Sequence, residues 1–149
     1  MSISIKDVTD KNIEQILNLS VNKSQSSYIE STKECIKEAK ECKYYEPVGL
    51  YVDDKLVGFA MYGFFPGEGG NGRTWLDRFL IDKKYQGKGI GSRMLDTLII
   101  HLSTKFNCEE IFLSLYEDNK NALNLYEKFG FEFNGELDIN KEKVMVKKL

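Results

Sequence analysis

The sequence predicts one α+β domain, covering residues 1–149, in which helices pack against a mixed β-sheet. Two observations predict this class. Segments with strand-like patterns begin and end the chain, and segments whose apolar residues recur at helical spacing lie between them. No linker or repeat interrupts this order, and 149 residues are enough for one domain to bury a proper core.

The N-terminal third predicts an edge strand followed by two helices. Ser2–Val8 alternates isoleucines with polar residues, as the edge strand of a sheet does. Asp10–Val21 carries apolar residues at helical spacing. We expect a second helix to begin at Ser31, because its hydroxyl can cap the first turn while Glu34 reaches back to the cap residue.

The remaining elements alternate in the same way. Pro47–Val52 and Leu56–Phe65 are expected to form a hairpin across a turn at residues 53–55, and Trp75–Ile81 has the pattern of a further strand. A helix precedes Gly130, which suits a left-handed C-cap. Three more segments complete the predicted sheet: Ile111–Tyr116, Phe131–Leu137 and Lys143–Lys148.

The most informative stretch is Gln86–Gly91, which lies between the strand Trp75–Ile81 and a predicted helix. In that helix, the apolar residues at 94, 95, 98, 99 and 102 fall on one face. Glycines let a ligand approach the backbone closely, and the first N–H groups of a helix lack internal partners at the positive end of its dipole. The pattern therefore predicts a site for a ligand that carries phosphate.

Two other phosphate-binding patterns fit less well. The spacing G-x-G-x-G differs from the G-x-G-x-x-G of dinucleotide folds, and no carboxylate clearly marks the end of a second strand downstream. Gly67–Thr74 nearly matches the G-x-x-x-x-G-K-[ST] loop of nucleotide triphosphatases, but Arg73 replaces the lysine and a strand follows where a helix is needed. A flexible glycine-rich hairpin loop is the better interpretation of that segment.

Composition argues against several classes of function. A net charge of −2 disfavours a nucleic-acid-binding protein, which would normally carry a basic patch. We expect no membrane association and no export, because the chain has neither an N-terminal signal pattern nor an apolar run long enough for a membrane helix.

The cysteines and the histidine predict no metal site and no disulfide. Three cysteines and one histidine form no zinc-type cluster. Cys35 and Cys42 lie on one predicted helix, where their Cα atoms would be about 10 Å apart, which is too far for a disulfide. Reduced thiols point to the cytoplasm. His101 borders the apolar face of its helix, and a packing or surface role is favoured over a catalytic one.

Two motifs together resemble the GCN5-related N-acetyltransferase (GNAT) superfamily. Gln86–Gly91, after a strand and at the start of a helix, is similar to the Q/R-x-x-G-x-G/A loop that holds the coenzyme A pyrophosphate in that family. Asn119–Phe131 resembles the second signature, N-x-x-A-x-x-L-Y-x-x-x-G-F. The resemblance covers nearly the whole chain and implies the acyl-CoA N-acyltransferase fold, a twisted and mostly antiparallel sheet flanked by helices.

The resemblance implies acetyl-CoA as co-substrate, without a metal. Main-chain groups of Phe79, Leu80 and Ile81 would pair with the pantetheine arm, and the Leu80 N–H would be the oxyanion donor. Asn119 would hydrogen-bond the coenzyme. Tyr126, which could otherwise be a core aromatic, would be the general acid that protonates the thiolate. The residues that would cradle the pyrophosphate are Gln86, Gly87, Lys88, Gly89, Ile90, Gly91 and Ser92.

Asp77 is a candidate catalytic residue outside these motifs. Strand alternation would place it on the same apolar face as Trp75, Phe79 and Ile81, with Arg78 on the opposite face. A carboxylate there is costly unless it is paired or functional. The family resemblance implies that it orders the water which deprotonates the substrate amine; the alternative is a carboxylate tied to backbone or to a basic side chain.

The second predicted helix carries an acidic stripe that suggests a polycationic acceptor. The stripe can also be an ordinary solvated surface with ion pairs at i, i+3. Short stretches at 30–39, 57–63, 75–79 and 81–89 resemble bacterial spermine/spermidine acetyltransferases, which favours polyamine binding. The residues of the stripe are Glu30, Glu34, Glu38 and Glu41.

Three functional interpretations follow. The first is acetylation of a polyamine by direct transfer within a ternary complex, with Asp77, Glu30, Glu34 and Glu38 as the candidate acceptor-binding residues. The second keeps the donor but acetylates another amine: a protein N-terminus or lysine, an aminoglycoside or a small metabolite. The third is a non-catalytic acetyl-CoA-binding module. Under the first, the partner is a small-molecule amine rather than nucleic acid or membrane, and a homodimer is left open.

Overall fold

The structure, a computed structural model, describes residues 1–19 and 32–149. A one-turn 3-10 helix, Lys83–Tyr85, precedes the glycine-rich turn. The strands and helices, in chain order, are β1 (Ile3–Asp7), α1 (Ile13–Leu17), α2 (Thr32–Glu41), β2 (Glu46–Val52), β3 (Lys55–Phe65), β4 (Arg73–Ile81), α3 (Ile90–Phe106), β5 (Glu110–Leu115), α4 (Lys120–Lys128), β6 (Glu132–Leu137) and β7 (Lys143–Lys148).

These strands form one seven-stranded sheet in the order β1-β2-β3-β4-β5-β7-β6. Each neighbouring pair is antiparallel except β4 and β5, which are parallel. The mixed, mostly antiparallel sheet with helices on it confirms the predicted fold class. Asp53 and Asp54 both have positive φ in the β2–β3 turn, as a two-residue hairpin turn requires.

Hydrophobic residues are buried on both faces of this sheet. On one face the core is formed with α3 and α4, and all five apolar α3 positions expected from the sequence are buried there. On the other face, Ile16 of α1 and Cys35 and Ile36 of α2 pack against Phe59, Met61 and Leu80. Both helix pairs therefore use an apolar stripe to cover β-strand side chains.

The first helix is shorter than the sequence predicted. The prediction spanned Asp10–Val21, whereas α1 ends at Leu17. The Asn18 N–H bonds the Gln15 carbonyl in an i→i−3 turn, which tightens the chain and ends the helix. Residues 20–31, which include the predicted cap at Ser31, lie outside the described part of the chain.

A β-bulge at Asp77 changes the predicted alternation of β4. Arg78 is in register with Met61 and Leu76 with Tyr62, so Asp77 is an extra residue in β4. Beyond the bulge, Phe79 and Ile81 pack toward the α3 face, the face that Leu76 also occupies. The prediction that Asp77 shares one face with Trp75, Phe79 and Ile81 is therefore wrong, because the extra residue shifts the period-2 pattern by one.

Among the described helices, none has both the length and the apolar character that a membrane crossing needs.

Candidate active site

The cleft in this protein opens where β4 and β5 separate. The two strands are paired only at Thr74–Ile111 and Trp75–Phe112, and after these pairs they diverge. A cavity of about 200 Å³ lies at this end of β4, between the strand, the turn before α3 and α4. The residues predicted to bind the coenzyme that line this cavity are Phe79, Leu80, Ile81, Gln86, Gly87, Gly91, Asn119 and Tyr126.

The sheet register determines which main-chain groups of β4 face the cleft. The Asp82 N–H donates to the Val57 carbonyl over 2.7 Å, and Leu80 is in register with Phe59. Because hydrogen bonding alternates along an antiparallel pair, the Leu80 N–H points to β3, while those of Phe79 and Ile81 point into the cleft. The register therefore does not support the prediction that the Leu80 N–H is the oxyanion donor, because this N–H does not face the cleft.

Gln86 links the glycine-rich turn to this strand. Its side-chain Nε2 donates to the Ile81 carbonyl over 2.8 Å, so one of the cleft-facing main-chain acceptors is already occupied. The Ile81 N–H is directed into the same gap by the register. Gln86 is thus placed to orient the strand, and its amide is used by the protein itself.

The turn before α3 has the geometry of an anion site. Gly87 and Gly89 have φ values of 77° and 78°, which side chains rarely tolerate, and Gly89 is the N-cap of α3. A Cβ atom added at either glycine would meet nothing within 4 Å. The turn therefore presents open space in front of the first N–H groups of a 17-residue helix.

The side chains in this turn differ in their exposure. Lys88 is exposed and Ser92 is half-buried, whereas Ile90 is buried in the core. Ile90 can therefore contribute only its main chain to a ligand. Of the predicted pyrophosphate residues, Lys88, Gly89, Ile90 and Ser92 do not line the cavity itself.

Two residues of α4 complete the cleft wall. Asn119 is the N-cap of α4, where its Oδ1 accepts a long hydrogen bond of 3.5 Å from the Ala122 N–H. Tyr126 lies two turns further along, with its ring 5.8 Å from the ring of Phe131 in an edge-on contact. No hydrogen bond to the Tyr126 hydroxyl is found within residues 1–19 and 32–149.

Burial raises the pKa of the Tyr126 hydroxyl above its ordinary value. The phenol therefore stays protonated at neutral pH and can donate a proton or a hydrogen bond to a group bound in the cleft. A neutral donor is also the form that a partly apolar cleft tolerates at least cost.

A charged cluster lies on the α2 side of the bulge. An Arg78 Nη is 3.9 Å from a Glu38 carboxylate oxygen, and the other Nη donates to the Asp77 carbonyl over 2.7 Å. Burial raises the pKa of Tyr45, the Asp77 and Glu38 carboxylates raise this pKa further, and Arg78 lowers it. Asp77, Arg78 and Glu38 thus all lie near Tyr45, and Arg78 contacts the main-chain carbonyl of Asp77, although the sequence predicted the two side chains on opposite faces.

Of the described residues of the acidic stripe, Glu38 lies at this charged cluster. Glu38 is half-buried beside Arg78, whereas Glu34 and Glu41 are exposed on α2. Glu30 lies outside the described residues. Because Glu38 is half-buried beside the sheet, it does not belong to an ordinary solvated surface of α2.

Sequence reasoning missed several residues around the site. Asn121, Ala122 and Leu125 also line the cavity. Ala122 and Leu125 are the alanine and the leucine named in the second signature, and they lie at helical spacing from Tyr126. This spacing could have identified them as cavity residues. Tyr45 and Arg78 had no comparable signal, because only the folded chain brings them beside Asp77.

Other candidate groups stand apart from the cleft. The Nε2 of His101 is 3.0 Å from the Tyr62 hydroxyl, and burial lowers the pKa of this histidine. Arg73 belongs to β4 and pairs with Glu136, which excludes the triphosphatase-loop interpretation of its segment. Among the described residues, no group of three or more histidine, cysteine or acidic side chains is placed to hold a metal, and Cys35, Cys42 and Cys108 form no disulfide.

The chain is similar to known acetyltransferases. Over its full length, the chain is 60% identical across 152 aligned residues to the spermine/spermidine N(1)-acetyltransferase of Bacillus subtilis strain 168, all of which is covered. It superposes on spermidine N-acetyltransferase from Vibrio cholerae, in complex with CoA and spermine, with a TM-score of 0.71. That match has 20% identity and covers 97% of this chain and 92% of the other.

A second solved structure with a similar fold is an acetyltransferase named for a different class of substrate. Aminoglycoside acetyltransferase AAC(6')-Ib in complex with coenzyme A matches with a TM-score of 0.80 and 17% identity, covering 99% of this chain and 95% of that one. At such identities the structural likeness establishes the fold alone. The family model for the acetyltransferase (GNAT) family matches residues 13–131, and this chain belongs to that family.

Proposed function

We propose that this protein transfers the acetyl group of acetyl-CoA to a primary amine of spermine or spermidine. The observation that carries the proposal is the position of the Asp77 bulge. It lies two residues before Phe79, whose N–H faces the donor cleft, and roughly 7 Å along the strand from it. A carboxylate and a main-chain donor are thus close enough to act on one amine and one thioester.

The donor side supplies binding and one proton. The cleft-facing main chain of Phe79 and Ile81 pairs with the pantetheine arm as an added strand would, and the α3 turn takes the pyrophosphate. The Phe79 N–H is our candidate for the donor that stabilises negative charge on the thioester oxygen. This role replaces the one first expected of Leu80.

The acceptor side removes the amine's proton and guides the cation. Asp77 orders a water that accepts a proton from the ammonium, so that a neutral amine attacks the carbonyl carbon of the thioester. A C–N bond forms and the C–S bond breaks. The leaving sulfur takes the proton of the Tyr126 hydroxyl, and the amide nitrogen loses its second proton, which through water restores that hydroxyl. The transfer is direct, without a covalent enzyme intermediate and without a metal.

The polyamine assignment rests on charge and on the full-length relative. Asp77 and Glu38 provide negative potential beside the reacting strand, and the exposed Glu34 extends it along α2. A flexible polycation matches several carboxylates that are spaced along one surface. The relative that is 60% identical over the whole chain bears a spermine/spermidine acetyltransferase name. The three cysteines form no disulfide, which fits a reducing compartment and supports action in the cytoplasm.

A panel assay tests the acceptor. Thiol release from acetyl-CoA is measured with spermine, spermidine, an alkyl monoamine of similar length, a lysine peptide and an aminoglycoside. We expect both polyamines to be used with a kcat/KM far above that of the monoamine, and spermine at least as well as spermidine. If the peptide or the aminoglycoside is the better acceptor, the polyamine assignment is wrong while the donor chemistry stands.

A further inference from the structure

The sheet consists of two parts that are joined weakly at the donor cleft. We call β1–β4 the N-terminal half-sheet and β5, β7 and β6 the C-terminal half-sheet. Eight residue pairs register β3 with β4 and six register β5 with β7, but only two join β4 to β5. The wall of the cavity opposite β4 comes from α4, which connects β5 to β6, so the separation of the half-sheets sets the distance between these two walls.

A cluster of side chains bridges the half-sheets at this junction. Arg73 donates two hydrogen bonds, of 2.7 and 2.9 Å, to the two carboxylate oxygens of Glu136. The Arg73 guanidinium also lies 4.4 Å from the ring centroid of Phe112. Arg73 is in β4, whereas Phe112 and Glu136 are in β5 and β6. We call these three residues the apex clamp.

The local structure of β6 places Glu136 within reach of Arg73. β6 and β4 are three strand positions apart, or about 14 Å across a regular sheet. The register of β6 with β7 breaks between Phe133 and Leu137, Gly135 has φ 90°, and the Asn134 side chain accepts from the Glu136 N–H. This bulge bends β6 over the sheet, so that Glu136 reaches Arg73.

The clamp lies at the residue pair where the strands begin to part. Phe112 is in register with Trp75, and their rings are 5.5 Å apart. The Trp75 indole N–H donates to Glu68 over 2.8 Å, which anchors the N-terminal side of the junction. The hydrogen bonds to Glu136 raise the pKa of Arg73 and lower the pKa of Glu136, so both remain charged at neutral pH.

We propose that the apex clamp is a positioning device for the donor substrate, which holds the half-sheets at the separation that acetyl-CoA requires. The inference rests on the proposed donor site. None of the three residues lines the cavity, so the clamp acts through the strands and touches no substrate. Without the clamp, the half-sheets adopt a wider range of separations. A smaller fraction of the molecules then has the separation that binds acetyl-CoA, so the apparent dissociation constant of acetyl-CoA rises.

A double-mutant cycle tests the clamp. Arg73→Met and Glu136→Gln are each expected to raise the acetyl-CoA dissociation constant about threefold, the range of a partly exposed bidentate pair. The double variant is expected to bind no more weakly than Arg73→Met alone, because both changes remove the same Arg73–Glu136 interaction. Binding is measured by calorimetry without acceptor, so the result does not depend on whether the polyamine assignment is correct.

A matched control separates positioning from general stability. Asp54→Asn makes the same acid-to-amide change in the Lys6–Asp54 pair, which lies within the N-terminal half-sheet, and it should leave the acetyl-CoA dissociation constant unchanged. Arg73→Lys keeps the charge but cannot donate the two parallel hydrogen bonds to Glu136. It should therefore weaken acetyl-CoA binding as Arg73→Met does. Lower thermal stability with unchanged acetyl-CoA binding, or independent effects that multiply in the double variant, would overturn the proposal. If Arg73→Met or Glu136→Gln does not fold, Arg73→Lys alone decides.

Discussion

The proposed donor and acceptor sides of β4 are built from different kinds of groups. The donor side uses main-chain N–H groups, glycines with positive φ and a neutral phenol. The acceptor side uses charged side chains, with Arg78 between the Asp77 carbonyl and the Glu38 carboxylate. We infer that donor binding depends on backbone shape, whereas acceptor binding depends on charge and therefore on ionic strength.

The bulge at Asp77 is what separates the two sides. Before it, Leu76 packs toward α3; after it, Phe79 and Ile81 do, and the main-chain groups of those two residues face the cleft. In the proposed mechanism, the extra residue lets one strand offer a carboxylate to the acceptor and, two residues later, an N–H to the donor.

The largest effect is expected for Tyr126→Phe, which keeps the ring against Phe131 and removes the hydroxyl. If this hydroxyl protonates the thiolate, kcat falls on the order of 100-fold while acetyl-CoA still binds. Tyr51→Phe removes a hydroxyl in β2 that is bonded to Asn12 and serves as the control. A loss of kcat below about threefold, with chemistry rate-limiting, would make Tyr126 only a packing residue.

Asp77→Asn is expected to lower kcat/KM for the polyamine about 30-fold, because the ordered water loses its charged partner. The pH–rate profile should change on its acidic limb, where rate rises as the amine loses its proton, and acetyl-CoA affinity should not change. Asp96→Asn, on the exposed face of α3, is the matched control. Reduced stability with an unaltered pH profile would indicate that Asp77 is structural.

Gly89→Val is expected to weaken coenzyme A binding at least tenfold, which corresponds to about 1.4 kcal/mol. Valine is strained at φ 78°, and its side chain would occupy the open space in front of the α3 N-terminus. Gly70→Val is a matched control, because Gly70 has φ 82° and equally open surroundings in the β3–β4 loop. Equal calorimetric affinities for the two folded variants would remove the turn from the donor site.

The smallest effect is expected for Glu34→Gln combined with Glu38→Gln, which should raise the KM for spermine about threefold. Added salt should raise the same KM in the wild type and much less in the double variant, since screening and neutralisation remove the same contacts. Glu41→Gln, at the end of α2, is the control on the same helix. An unaltered spermine KM in the double variant would mean that the stripe is a solvated surface.

The parts of the fold that depend on local pattern were well predicted from the sequence. The α3 face follows from apolar spacing, the end of α4 from Gly130, and the β2–β3 turn from two aspartates that tolerate positive φ. The predicted length of α1 was wrong, because apolar spacing alone does not show where a helix tightens and stops.

The donor motifs were visible in the sequence for a physical reason. Close approach of backbone to phosphate requires glycine, and a helix N-terminus requires its own start signals, so both constraints act on neighbouring residues. The candidate general acid, Tyr126, could likewise be predicted from the sequence, because one helix places it two turns after Asn119. The roles proposed for these residues now depend on the measurements above.

Sequence alone therefore determined the α+β class, the family and the segments that form the donor cleft, since each depends on residues close together in the chain. Only the tertiary structure decided that Phe79 rather than Leu80 directs its N–H into the cleft, because strand register sets that direction. It also decided the pairs Glu38–Arg78 and Arg73–Glu136, whose members are 40 and 63 positions apart. Such contacts arise when strands and helices pack, and no local pattern encodes them.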